Sequence, residues 1–187
     1  MKKILVVVDY QNDFIDGVLA VPEADKIKNF IQNEINGDYE KVFYTLDTHI
    51  AEDYAVSDEQ KIFPNIHCEF NTDGWNLGIN TVRPILADKP FQMRERDNEV
   101  IFCKDKFDIF EGNDFYADYI KEYQDYEFVL VGVATNYCVY THAIGLINRG
   151  FKVTVLKDGV KGIMDYTYET RVQKMIDKGV QWKKLTI

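Results

Sequence analysis

Cys138 stands where an apolar run turns into a helix. Residues 128–133 (FVLVGV) read as a buried strand, and residues 137–149 (YCVYTHAIGLINR) close as a helix ended by Gly150. The turn GVATNYCV therefore puts a thiol in a helix's first turn, where unpaired N–H groups and the positive end of the macrodipole favour thiolate. The alternative is a small buried hydrophobe, a common state of free cysteine. A thiol nucleophile needs a base to take its proton and a cation to stabilise its anion. Asp9 and Lys104 supply those types, each at the end of an apolar strand. Asp9 would take the proton and return it to a leaving amine, and Lys104 would favour the thiolate while orienting the carboxylate. The backbone N–H groups of Ala134 and Cys138 offer an oxyanion hole. His142, four residues after Cys138 on the same helical face, is a rival base or else a histidine packed beneath the strand–helix junction.

A second constellation suits a metal. Asp47 and His49 are two apart at a strand end, so both side chains face the same way. His67 follows in IFPNIHC, with Glu59 between them in SDEQK. One carboxylate and two imidazoles suit Zn²⁺, Fe²⁺ or Mn²⁺ with positions left for water or substrate, and Glu59 is a candidate fourth ligand. The competing reading is a pair of surface histidines on a polar loop. Cys68 beside His67 points away in an extended chain and is read as structural. Cys103 precedes Lys104 on a buried strand and is read as inert packing.

The elements that must position these groups alternate. Residues 3–8 (KILVVV), 41–46 (KVFYTL), 99–103 (EVIFC), 128–133 and 151–156 (FKVTVL) read as strands, with a short final strand within 180–185. Residues 24–35, 114–123, 137–149 and 166–178 read as helices, the second capped by Asn113 or Asp114. This order predicts a three-layer α/β/α sandwich around a mainly parallel, Rossmann-like sheet of about six strands. Residues 1–187 are expected to form one domain, interrupted by an irregular insertion at about 48–98. In such a sheet the site lies at the carboxyl ends of the strands, where Asp9, Asp47-Thr48-His49, Lys104 and Cys138 all fall. The net charge of −9 argues against nucleic acid and anionic membrane, and no apolar run approaches the roughly 18 residues of a membrane span. Three cysteines make no disulfide framework, so a reducing cytoplasm is the expected compartment.

These residues have a family likeness. VDYQNDF, the DTH segment, FPNIHC, KDKFDIF and GVATNYCV together resemble the isochorismatase-like cysteine hydrolases, and within them the nicotinamidases and pyrazinamidases, across essentially the whole chain. The resemblance implies a catalytic Asp9, Lys104 (rather than Lys106) and Cys138, and a cis peptide bond before Ala134. It also implies a divalent metal, zinc first and iron or manganese next, on Asp47, His49 and His67. Phe14 and Phe63 would flank a pyridine ring, the substrate would be a small amide such as nicotinamide or pyrazinamide, and the chain would form a homo-oligomer. The departures are Asn136 where relatives often have Asp, His142 where a hydroxyl is usual, and one extra residue in PNIHC. Two alternatives stand beside this reading. One is a metal-independent cysteine hydrolase of another small amide, carbamoyl or ureido compound, and the other is a non-catalytic binding module.

Overall fold

The computed structural model describes residues 1–79 and 90–185. Its sheet contains β1 (Lys3–Val8), β2 (Lys41–Asp47), β3 (Met93–Arg96), β4 (Glu99–Lys104), β5 (Glu127–Val133), β6 (Lys152–Lys161) and β7 (Gln181–Lys183), in the order β3-β4-β2-β1-β5-β6-β7. Every neighbouring pair is parallel except β3–β4.

The strand beyond the expected six is β3, which lies inside the segment read as irregular. Its MRER residues are mostly exposed and lack apolar alternation, so periodicity could not reveal it. Pairing with β4, Met93 opposite Phe102 and Arg96 opposite Glu99, makes it a strand. Part of the same insertion, residues 80–89, lies outside the described residues.

Period-two geometry explains the layers. Ile4, Val6 and Val8 of β1 enter one core with Phe43, Phe102, Phe128 and Leu130, while Leu5 and Val7 enter the other with Tyr44, Ile101, Val129 and Val131. The helices are α1 (Asn12–Ile15), α2 (Lys28–Ile35), α3 (Ala51–Tyr54), α4 (Ile109–Gly112), α5 (Tyr116–Tyr119), α6 (Cys138–Asn148) and α7 (Tyr168–Asp177). A 3₁₀ turn at Ala24–Ile27 leads into α2, and another at Ile120–Tyr123 continues α5. Ile27 and Ile31 cover the second core, and Ile109, Tyr116, Val139, Leu146 and Met175 cover the first. The result is the expected α/β/α sandwich. Asn113, rather than Asp114, caps the turn that leads into α5, its Oδ1 accepting from the N–H groups of Phe115 and Tyr116. Among the described residues, no helix is long and apolar enough to cross a membrane.

From β1 the chain builds outward through β2 and β4, then returns to the other side of β1 as β5. That reversal opens a crevice at the carboxyl ends of these strands. Gly132 lets β5 approach β1 closely there. It has φ +114°, and a Cβ on it would stand 2.1 Å from the Val8 carbonyl oxygen.

Candidate active site

Four strand ends converge on one buried ammonium. Asp9 follows β1 with φ 44°, Asp47 ends β2, Lys104 ends β4, and Cys138 opens α6 after β5. The Lys104 Nζ lies 2.8 Å from Asp9 Oδ2, 3.2 Å from Asp47 Oδ1 and 3.6 Å from Cys138 Sγ. None of the four side chains is appreciably exposed. Lys106, the other lysine of the segment, points to solvent.

The surroundings orient each group. Thr45 Oγ1 donates to Asp9 Oδ1 at 2.6 Å, so the other oxygen, Oδ2, faces the reacting groups. This Oδ2 makes an ion-pair contact with Lys104 but accepts no aligned hydrogen bond. Burial alone would discharge Lys104, but Asp47 and Asp9 hold its pKa well above the ordinary value, so it stays cationic.

Cys138 departs from the helix-terminus expectation. It does begin α6, yet burial pushes its thiol pKa well up; Lys104 opposes this, and Asp9 and Asp47 add to it. Desolvation of an anion outweighs the partial charge of a helix end, so the resting thiol keeps its proton. Activation therefore means proton transfer to a neighbour rather than a standing thiolate. His142 is not that neighbour: its Nε2 pairs with the Tyr116 hydroxyl and its ring meets Phe110 edge-on. Burial, with Lys104 nearby, lowers its pKa to about 3, and the residue is a neutral core histidine.

Asp47 joins this group to the second constellation. Its Oδ2 lies 3.1 Å from His49 Nε2 and 3.3 Å from His67 Nε2, and Glu59 Oε1 lies 3.3 Å from His67 Nε2. The donor atoms of Asp47, His49, Glu59 and His67 all fall within 4.8 Å of one another, and all four residues are buried. Both Glu59 oxygens and His67 Nε2 lack hydrogen-bond partners, an arrangement that is costly unless a cation is shared among them. The charge balance points the same way. Burial disfavours protonated His67, yet Asp47 and Glu59 raise its pKa to about 10; burial and then Asp47 raise that of Glu59. On the far side of the ring, His67 Nδ1 meets the Asn65 carbonyl at 3.3 Å, which leaves Nε2 as the atom with a lone pair for a metal. Two imidazoles and two carboxylates suit a divalent ion. The extra residue in PNIHC does not displace His67 from the cluster.

Some supporting residues were not legible beforehand. Gln11 clamps Asp47: its Nε2 donates to the Asp47 carbonyl at 2.9 Å, and its Oε1 accepts from the Asp47 N–H at 2.8 Å. Tyr54 sets its ring edge-on to His49 and donates its hydroxyl to the Phe63 carbonyl. Cys68 and Cys103 are free and buried, and neither joins the metal group. Burial raises both thiols, Cys103 to about 12.

A narrow pocket opens onto Cys138, Asp47, Glu59 and His67. Phe14 and Phe63 line it. Phe107, Tyr137 and Ile163 also line it and were not anticipated. Phe63, Phe107 and Tyr137 pack mutually at 5.7–6.1 Å between ring centroids. The sequence signal for Phe107 and Tyr137 was their nearness to Lys104 and Cys138; Ile163 had none. Larger in volume is a second, open cleft between Ile50–Ser57 and Phe91–Gln92, but it does not include Cys138. The Val133–Ala134 peptide bond is cis, as the family likeness implied.

Comparison with known proteins follows the same lines. The isochorismatase domain model matches residues 3–182. An uncharacterized isochorismatase family protein, PncA, of Bacillus subtilis (strain 168) is 32% identical over 172 residues, 86% of each chain. A nicotinamidase of Escherichia coli (strain K12) is 26% identical over 184 residues, covering 85% of this chain and 83% of its own. The crystal structure of a pyrazinamidase of Pyrococcus horikoshii in complex with zinc superposes with a TM-score of 0.77 at 27% identity, covering 99% of this chain and all of that one.

Proposed function

Because the chain belongs to the isochorismatase family, we propose that this amidohydrolase cleaves nicotinamide to nicotinate and ammonia through a thioester on Cys138. The observation that carries the reading is the single ammonium of Lys104 between Asp9, Asp47 and Cys138, two of which, Asp47 and Cys138, line an aromatic pocket.

Asp9 Oδ2 takes the Sγ proton as sulfur attacks the carboxamide carbon, and the C–S bond forms. The N–H groups of Ala134 and Cys138 receive the oxyanion. Asp9 returns its proton to the amide nitrogen, the C–N bond breaks, and ammonia leaves. Water then attacks the thioester carbon and gives a proton to Asp9. Collapse of that adduct releases nicotinate, and the sulfur regains its proton from Asp9. Lys104 stays charged throughout and offsets whichever of Asp9 and Cys138 carries the negative charge. Phe14, Phe63, Phe107 and Tyr137 exclude water and hold a flat ring.

Asp47, His49, Glu59 and His67 would hold a divalent metal, with zinc favoured by the donor set and by the zinc complex of the pyrazinamidase relative. When bound, such an ion supplies a Lewis-acidic anchor for a ring nitrogen and so orients the amide. The whole chain acts as one domain in this reading, and a homo-oligomer in a reducing cytoplasm is the setting proposed for it.

The test is ammonia release from nicotinamide by the wild type and by Cys138→Ala, with mass spectrometry of trapped enzyme. The reading expects a nicotinoyl adduct on Cys138, and no turnover but retained nicotinamide binding in the variant. Turnover by Cys138→Ala would overturn it. Release from carbamoyl or ureido compounds in place of nicotinamide would move the assignment to another amide.

A further inference from the structure

The turn that carries Cys138 is fastened to a segment that plays no part in the chemistry above. Asp165, in the loop between β6 and α7, accepts from the Tyr137 hydroxyl at 2.7 Å and from Asn136 Nδ2 at 3.1 Å. It also accepts from the N–H and hydroxyl of Thr167, at 2.8 and 2.6 Å. In return, Asn136 Oδ1 accepts from the Ile163 N–H at 3.0 Å, and Arg171 donates to the Asn136 carbonyl while lying 5.0 Å from the centre of the Tyr137 ring. Asn136 and Tyr137 are the two residues before Cys138, and Tyr137 and Ile163 both line the pocket. One half-buried carboxylate thus ties together the approach to the nucleophile and two walls of its pocket.

We propose that Asp165 is a positioning residue: acting through Tyr137 and Asn136, it holds the pocket wall and the nucleophile turn in register. The network has a consistent polarity, which Thr167 joins by accepting from Asn136 Nδ2 at 2.9 Å. Asp165 is the acceptor for every donor aimed at it, and Asn136 both gives and accepts. A carboxylate at position 136 would meet the Asp165 carboxylate at about hydrogen-bond distance, so the amide there is matched to its partner across the loop. The role rests on Cys138 being the reactive group at the end of this pocket.

Two readouts keep its failure separate from that of the nicotinamide assignment. The first uses no substrate: the rate at which iodoacetamide alkylates Cys138, located by peptide mass spectrometry, with buried Cys68 and Cys103 reporting loss of fold. Cutting the ties in Asp165→Ala should loosen the wall and speed alkylation of Cys138 about tenfold, leaving the other two thiols unlabelled. Asp165→Asn, which keeps the Oδ1 acceptor, should stay within about threefold of the wild type. The second is steady-state hydrolysis of nicotinamide, where Asp165→Ala should raise KM about tenfold, more than it lowers kcat. Tyr137→Phe should produce part of that effect, and adding it to Asp165→Ala should cost little more, because both cut one link. Alkylation of Asp165→Ala at the wild-type rate or slower overturns the proposal, as does a double variant whose losses simply add. If the wild type leaves nicotinamide untouched, the alkylation series alone decides.

Discussion

Glu59 offers a test in which two effects carry opposite signs. Its carboxylate is buried, neither oxygen has a hydrogen-bond partner, and it lies 3.3 Å from His67 Nε2 and 3.9 Å from His49 Nε2. Burial, and then the charge of Asp47, raise its pKa, the signature of an anion that His67 and Lys104 compensate only in part. Glu59→Gln keeps the shape and removes the charge. In chelator-treated protein the substitution should be neutral or stabilising, by up to about 2 kcal/mol, because a buried anion that its neighbours compensate only in part is no longer desolvated. With metal the sign reverses. If the loss of a ligand weakens binding about a hundredfold, metal that stabilised the wild type by about 2.7 kcal/mol at a hundred times its Kd adds only about 0.4 kcal/mol to the variant. The assay is urea unfolding with excess chelator and again with zinc, alongside zinc titration against a chromophoric competitor. Equal zinc affinity in the two proteins would refute a ligand role for Glu59. So would a variant destabilised as much without metal as with it.

Other expectations follow from the same geometry. In chelator-treated protein, His67 has a folded-state pKa of about 10 against an ordinary 6.5, so the stability it contributes is full below about pH 6.5. That contribution is lost as pH rises through about 10, with a slope of at most about 1.4 kcal/mol per unit; zinc should flatten the slope, and urea midpoints across this range measure both. Lys104→Met leaves Asp9 and Asp47 without their shared cation, which should cost about 3–5 kcal/mol of stability and all measurable turnover; a folded variant with turnover within tenfold of wild type contradicts the assignment. Gly132→Ala forces a Cβ to 2.1 Å from the Val8 carbonyl at φ +114°, so it should cost more than about 4 kcal/mol or prevent soluble expression, whereas Gly179→Ala, with nothing within 4 Å, should cost about 1 kcal/mol through its positive φ alone; melting temperatures compare the two.

How much could be read in advance divides along one physical line. The alternation of Ile4, Val6 and Val8 against Leu5 and Val7 is a property of the extended backbone, so two-faced burial of β1 is visible in six residues. The shared direction of Asp47 and His49 follows from the same period of two. So does the placement of Asp9, Lys104 and Cys138 at strand ends, since apolar runs that stop abruptly mark where the sheet edge lies. By contrast, MRER at β3 has no pattern of its own, because only its ladder to β4 makes it a strand.

What only the tertiary structure decided depends on separations of many tens of residues. The strand order sets β4 beside β2 and β5 beside β1, and only then does Asp47 bridge Lys104 to His49 and His67, turning two separate constellations into one charged network. The same convergence reverses the expected acidity of Cys138. A helix start is local and predicts a thiolate, but desolvation and two carboxylates, brought in by other strands, hold the proton on sulfur. Ile163 and Asp165 reach the nucleophile turn from a loop more than twenty residues downstream. Backbone geometry sets periods and ends within a few residues. Electrostatics and enclosure depend on which distant segments come within a few ångströms, and the local pattern does not record that.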